Sequence, residues 1–117
     1  MKIALIGNAN CGKTTLFNLL TKSNEATGNR AGVTFGAKEA PLKSKKYTAE
    51  IVDLPGIYSL TSQKAEEKAA LDYLRRGDCD VIVDIIDASN LSRGLFLTLQ
   101  LIREFPHVAV ALNMMDE

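Results

Sequence analysis

The stretch Gly7-Asn8-Ala9-Asn10-Cys11-Gly12-Lys13-Thr14 constrains this chain more than any other feature. It follows the apolar run Ile3-Ala4-Leu5-Ile6 and opens into Thr15-Leu16-Phe17-Asn18-Leu19-Leu20, whose spacing suits a helix. Glycine at both ends, then lysine and a hydroxyl, set between a strand and a helix, is the pattern of a phosphate-binding loop. The glycines let backbone amides turn toward an anion, and the helix N-terminus adds the positive end of its dipole. Lys13 is placed to reach the outer phosphates, and the Thr14 hydroxyl to ligate the magnesium ion that bridges them.

The rest of the chain alternates strand and helix without repeats or low-complexity linkers. Strands are expected at Lys2 to Ile6, Phe35 to Leu42, Tyr47 to Val52, Val81 to Ile86 and Val108 to Leu112. Helices are expected from Lys13 to about Lys22, from Gln63 to Arg76 and from Leu91 to Phe105. The second carries Ala65, Ala69, Leu71, Tyr73 and Leu74 among charges, and Gly77 ends it. The third places Leu95, Leu99 and Ile102 on one face, and Pro106 closes it. Val81 to Ile86 is a β-branched run suited to a central parallel strand. Ser23 to Gly32 reads as a loop, and Lys43-Ser44-Lys45-Lys46 as a solvated hairpin end. The order β-α-β-β-α-β-α-β predicts a mostly parallel sheet, helices on both faces, and a ligand at the strand C-termini. At 117 residues the chain has room for one domain and no second.

Two further motifs fall at such strand ends. Asp53-Leu54-Pro55-Gly56 follows Ile51-Val52. A carboxylate there holds magnesium through a water, and the glycine amide meets the terminal phosphate. Asn113-Met114-Met115-Asp116 follows the last strand. Asp116 can accept two hydrogen bonds from the N1–H and exocyclic amine of guanine, a pairing that adenine lacks. A site built on such bonds rejects the wrong base by roughly 10⁴ or more. Asn113 fixes this loop and reaches the base edge.

With these residues in view, the chain resembles the cytosolic GTPase domain of the ferrous iron transport protein B family, from Lys2 to Asp116. Beyond the general GTPase motifs the likeness rests on Gly28-Asn29, Gly32-Val33-Thr34, Ile57-Tyr58-Ser59-Leu60, Glu66-Glu67-Lys68 and Asp72-Tyr73-Leu74. It extends to Asp87-Ala88-Ser89-Asn90-Leu91, Leu97-Thr98-Leu99-Gln100-Leu101 and the Asn-Met-Met-Asp form of the base motif. The resemblance implies a Ras-like P-loop GTPase fold, a three-layer α/β sandwich with one antiparallel strand, here without its last strand and helix. It implies a phosphate loop of Gly7, Asn8, Ala9, Asn10, Cys11, Gly12, Lys13 and Thr14, with Thr15 behind. Gly32, Val33 and Thr34 match the first switch, where Thr34 ligates magnesium. Asp53 and Gly56 match the second switch. Asn113, Met114 and Asp116 match the guanine readers, with Met114 covering the base by an apolar surface.

Glu66 and Glu67 match an acidic pair whose plainer reading is a solvated first helical turn. Cys11 stands where serine is usual and reads as a small loop residue, not a nucleophile. Arg30-Ala31 replaces the family's aromatic residue and proline, and Ala9 a common proline. The glutamine that many GTPases use to orient water is replaced by Ile57, so water positioning falls to first-switch backbone around Val33 and Thr34. Asn10 implies potassium activation, its carbonyl ligating the ion beside the phosphates; the alternative is an asparagine that only stabilises the turn.

The expected activity is magnesium-dependent GTP binding and slow hydrolysis, controlling ferrous iron uptake. In the full-length protein the resemblance implies a helical spacer and a polytopic membrane region at the cytoplasmic face of the cell membrane, with homo-oligomers open. The piece here reads as a soluble, cytosolic fragment whose last strand leaves an apolar edge. Fourteen basic and fourteen acidic residues give no net charge, which argues against nucleic acid as a partner. Cys11 and Cys79 show neither metal-ligand spacing nor a disulfide framework, and lone His107 reads as a strand-start residue. Two readings stay open beside this one: a translation- or ribosome-associated GTPase, and a nucleotide-sensing module with negligible hydrolysis.

Overall fold

The computed structural model describes residues 1–8, 11–21, 38–42, 44, 46–57, 59–61, 64–77 and 79–113. The elements are β1 (Lys2–Gly7), α1 (Lys13–Thr21), β2 (Lys38–Pro41), β3 (Glu50–Asp53), α2 (Ala65–Arg75), β4 (Val81–Asp87), α3 (Leu91–Glu104) and β5 (Val108–Asn113). A 3-10 turn, Ala88–Asn90, joins β4 to α3. The strands form one sheet in the order β2-β3-β1-β4-β5. β1 runs parallel to both β3 and β4, β4 parallel to β5, and β2 antiparallel to β3. The expected α/β order and mixed sheet are therefore present.

Alternation along the central strands divides the core in two. Ala4 and Ile6 of β1, Val52 of β3 and Ile82 of β4 pack with Leu71 and Leu74 of α2 and Leu97 and Leu101 of α3. Leu5, Ile51 and Ile85 pack on the opposite face with Phe17 of α1. Burial on both faces explains why these strands read as continuous apolar runs.

Five expectations need adjusting. β3 begins at Glu50 and not at Tyr47, because the Lys46 and Tyr47 amides donate to Ser44 Oγ, each at 3.1 Å, instead of to a ladder. Pairing persists one step past the strand ends through Leu42 N–H to the Ala49 carbonyl at 2.8 Å. Of the expected Phe35–Leu42 strand, Lys38–Pro41 is observed, and residues 35–37 lie outside the described set. α2 starts at Ala65 because Lys64 is extended, with φ −70° and ψ 137°. α3 stops at Glu104, since Phe105 is also extended.

The fifth adjustment concerns the apolar stripe of α3. Leu95, Leu99 and Ile102 do share a face, but it points outward, leaving them 46%, 60% and 54% exposed. α3 sits on the sheet through Gly94, Leu97, Thr98 and Leu101. Among the described residues β5 is the outer strand, and its Val110 and Leu112 are exposed.

Candidate functional site

β1 delivers the glycine loop to the C-terminal edge of the sheet. Gly7 pairs with Ile85 of β4, and a Cβ at Gly7 would stand 2.6 Å from the Ile85 carbonyl oxygen and 2.9 Å from Cys11 Sγ. No larger residue fits that approach. Gly12 has φ 88°, in the left-handed region that costs glycine nothing. α1 begins at the next residue, with the Leu16 amide donating to the Gly12 carbonyl at 3.0 Å. The amides of its first turn, unpartnered within the helix, are thereby presented at the loop. Thr14 and Thr15 are exposed on this turn, while Asn8 and Lys13 are buried.

Lys13 Nζ forms an ion pair with Asp53 Oδ1 at the end of β3. Lys13 is 9% and Asp53 3% exposed, so both charges are held largely out of water. Removing ions from water costs several kcal/mol each, and pairing seldom returns more than that. The arrangement is therefore better read as chemistry than as stabilisation. It sets a cation for an anionic ligand beside an oxygen donor suited to a hard metal ion.

The segment after Asp53 is tied down at successive points. The Leu54 amide donates to the Leu5 carbonyl at 3.2 Å and the Ile57 amide to the Gly7 carbonyl at 2.9 Å. The Leu60 amide donates to Gln100 Oε1 of α3 at 3.0 Å. Ile57 has no exposed surface and packs in the core shared with α2 and α3. Its side chain is thus turned away from the edge where a ligand would sit.

At the end of β5, the Asn113 side-chain amide donates to the Cys11 carbonyl at 3.2 Å. This joins the last strand to the glycine loop across the edge. Burial pushes the Cys11 thiol upward in pKa, opposed by the nearby Lys13, so it is a poor nucleophile. Of the acidic pair, Glu66 is exposed, whereas Glu67 is buried with Lys64 Nζ 3.9 Å away. Burial of Glu67 departs from a solvated first turn. His107 precedes β5, exposed, and its carbonyl accepts from Ile82 N–H at 2.9 Å.

The structure thus brings together Gly7, Asn8, Cys11, Gly12, Lys13, Thr14, Asp53, Gly56 and Asn113 at one sheet edge. Ala9, Asn10, Gly32, Val33, Thr34, Met114 and Asp116 lie outside the described residues. Gln100 carried no role in the sequence reading, because a single glutamine on a helix gives no signal of what its amide meets. Asp84 was missed too: it is buried in β4 and accepts from Thr98 Oγ1. A carboxylate inside an apolar strand run was the available clue. Among the described residues, no group of three His, Cys, Asp or Glu could hold a metal ion, and no helix is long and apolar enough to cross a membrane.

Known proteins match along nearly the whole chain. The Fe(2+) transporter FeoB of Escherichia coli K12 is 48% identical over 99% of this chain, which spans 16% of that relative's length. NFeoB from S. thermophilus bound to GDP.AlF4- and K+ superposes with a TM-score of 0.83 at 50% identity, over 97% of this chain and 44% of that one. The same relative bound to mGMPPNP gives 0.82 at 50% identity, over 97% and 44%. The FeoB G-domain from Methanococcus jannaschii gives 0.81 at 40% identity, covering 98% of this chain and 68% of that one. These neighbours have the P-loop GTPase fold expected above. The profile of the family described as ferrous iron transport protein B matches residues 1–117, and the chain belongs to that family.

Proposed function

We propose that this chain is the guanine-nucleotide switch of a ferrous iron transporter, binding GTP with magnesium and hydrolysing it slowly to GDP and phosphate. The observation that carries the reading is the Lys13–Asp53 pair, buried beside a glycine loop that is itself tethered to Asn113. Relatives half identical to this chain have been crystallised with mGMPPNP and with GDP.AlF4- and K+, which supports the same ligands here. Residues 1–117 act as one nucleotide-binding unit. In a longer protein it would stand at the cytoplasmic face of the membrane and govern iron passage through a membrane region.

The loop amides of residues 7–14 and the first turn of α1 cradle the phosphates, and Lys13 neutralises their outer oxygens. Gly56 offers its amide to the terminal phosphate from a position set by the bonded amides of Leu54 and Ile57. Oxygen donors fit a magnesium ion at this edge: the exposed Thr14 hydroxyl, the Asp53 carboxylate through a water, and Thr34. Bound there, magnesium would offset the negative charge that develops on the phosphates. Ile57, buried and apolar, cannot orient the attacking water, so that task falls to first-switch backbone at Val33 and Thr34. Asp116 reads guanine, with Asn113 fixing its loop and Met114 covering the base.

Asn10 would hold a potassium ion beside the phosphates, supplying positive charge where other GTPases insert an arginine. The test compares GTP turnover in potassium and in sodium at equal ionic strength, for wild type and Asn10→Ala. Faster turnover in potassium, abolished by Asn10→Ala, is expected. Equal rates in both salts for the wild type would refute the ion's role.

A further inference from the structure

We infer that Ile57, at the position where many GTPases carry a glutamine, is a positioning residue that holds the Gly56 amide ready for a terminal phosphate before any nucleotide binds. Burial along residues 53–57 shows how. Asp53, Leu54 and Ile57 are buried, whereas Pro55 and Gly56 between them are partly exposed. The chain therefore dips into the core, rises through Pro55 and Gly56, and dips again. Leu54 and Ile57, with 1% and 0% of their surface exposed, enter one core cluster, which also holds Leu97 and Leu101 of α3. Backbone bonds fasten the same two points. The Leu54 amide donates to the Leu5 carbonyl at 3.2 Å and the Ile57 amide to the Gly7 carbonyl at 2.9 Å. Inside the rise, the Pro55 ring restricts φ further.

The consequence for Gly56 follows from covalent geometry. Its nitrogen is separated from the Ile57 nitrogen by its own α-carbon and carbonyl carbon, so an anchor at Ile57 leaves the Gly56 amide little room to travel. The acceptor is itself fixed. Gly7 pairs with Ile85 of β4, and a Cβ there would stand 2.6 Å from the Ile85 carbonyl oxygen. The Gly56 amide is thus registered to the start of the glycine loop through a central strand. A glutamine at position 57 would leave its amide among apolar side chains, where an unpaired polar group is costly. The side chain that cannot orient water therefore serves another end. It keeps a phosphate ligand in place in advance, which strengthens a contact that only the triphosphate makes. GDP lacks that phosphate and should not sense the anchor.

The inference rests on the proposed GTPase reading, and the experiment separates the two. Hydrogen exchange at the Ile57 amide is measured in the nucleotide-free wild type. Affinities for GMPPNP and GDP are measured in wild type, Ile57→Ala, Ile57→Val and Leu101→Ala. Leu101→Ala opens a cavity in the same core cluster from α3 and so controls for lost stability. The Ile57 amide should be protected before nucleotide is added. Ile57→Ala should weaken GMPPNP binding roughly three- to tenfold, the scale of one hydrogen bond, with GDP affinity unchanged. Ile57→Val, which keeps a β-branched anchor, and Leu101→Ala should hold the ratio of the two affinities within about twofold of wild type. Protection at Ile57 that arises only once GMPPNP is bound would overturn the inference, even if Ile57→Ala does not fold. An unchanged ratio in Ile57→Ala, or an equal shift in Leu101→Ala, would overturn it while leaving the GTPase reading intact. A wild type that binds neither nucleotide would sink the GTPase reading and the positioning role together.

Discussion

α2 and α3 lie on the same face of the sheet, yet their sequences advertise their buried sides unequally. α2 turns Ala70, Leu71, Tyr73 and Leu74 inward, close to the pattern read from its sequence, while Glu66, Lys68, Asp72 and Arg75 stay outside. α3 carries two apolar stripes, and the one that looked like a core face is the one in solvent. With its charges outside apart from buried Glu67, α2 has a single way to sit. With leucines on both, α3 is oriented by what the sheet demands. Asp84 stands on the α3 side of β4 and accepts from Thr98 Oγ1, whose hydroxyl also lies 3.1 Å from the Gly94 carbonyl. A rotated helix would set that buried carboxyl against leucines, at a cost of several kcal/mol for an unpaired polar group.

The largest effect that tests this contrast is truncation of each stripe. Leu101→Ala should destabilise the chain by about 2–5 kcal/mol, whereas Leu99→Ala should cost no more than about 0.5 kcal/mol. Urea denaturation of the two variants measures both. Equal losses would contradict the outward placement of the Leu99 stripe.

Asp84 gives a finer test. Burial raises its pKa, with the Thr98 hydrogen bond opposing the rise. A folded-state pKa above the unfolded one means that the native state binds the proton more tightly. The stabilisation is then complete below the unfolded value of about 3.9 and is lost as pH rises through the folded value. Asp84→Asn keeps a polar partner for Thr98 and removes the titration. Thermal melts should show Asp84→Asn above wild type at pH 7, with the gap closing near pH 3. A wild type more stable at pH 7 would show that the charged form is the one the core prefers.

The smallest effect lies where the two helices end side by side. Arg75 of α2 donates to Glu104 of α3 through Nε at 2.6 Å and Nη2 at 3.1 Å. The Arg75 hydrogen bond holds the Glu104 carboxyl below its usual range. Such a depressed pKa contributes stability above the unfolded value of about 4.3, and that contribution is lost as pH falls through the folded value. Both side chains are over a third exposed, so solvent screening limits the pair to about 0.5 kcal/mol. A double-mutant cycle with Arg75→Ala and Glu104→Ala at pH 7 and pH 3 should find that coupling only at the higher pH.

How far the sequence could be read follows the same division. Central strands were legible because burial on both faces demands mostly apolar residues, as in Ile3 to Ile6 and, Asp84 apart, Val81 to Ile86. The glycine loop was legible because close approach at Gly7 and the positive φ of Gly12 tolerate little else. The start of β3 was not, since the Ser44 hydroxyl diverts the Tyr47 amide, a contact invisible to strand propensity. The partnerships of Asn113 with Cys11 and Gln100 with Leu60 span 102 and 40 positions of sequence, and spacing carries no trace of them.

The central claim, that the edge formed by Lys13, Asp53 and Asn113 holds a guanine nucleotide, is tested most directly by calorimetric titration with GDP and with ADP. The account predicts binding of GDP and rejection of ADP, with Asp116→Asn shifting preference toward xanthine nucleotides. Comparable affinities for GDP and ADP would contradict it.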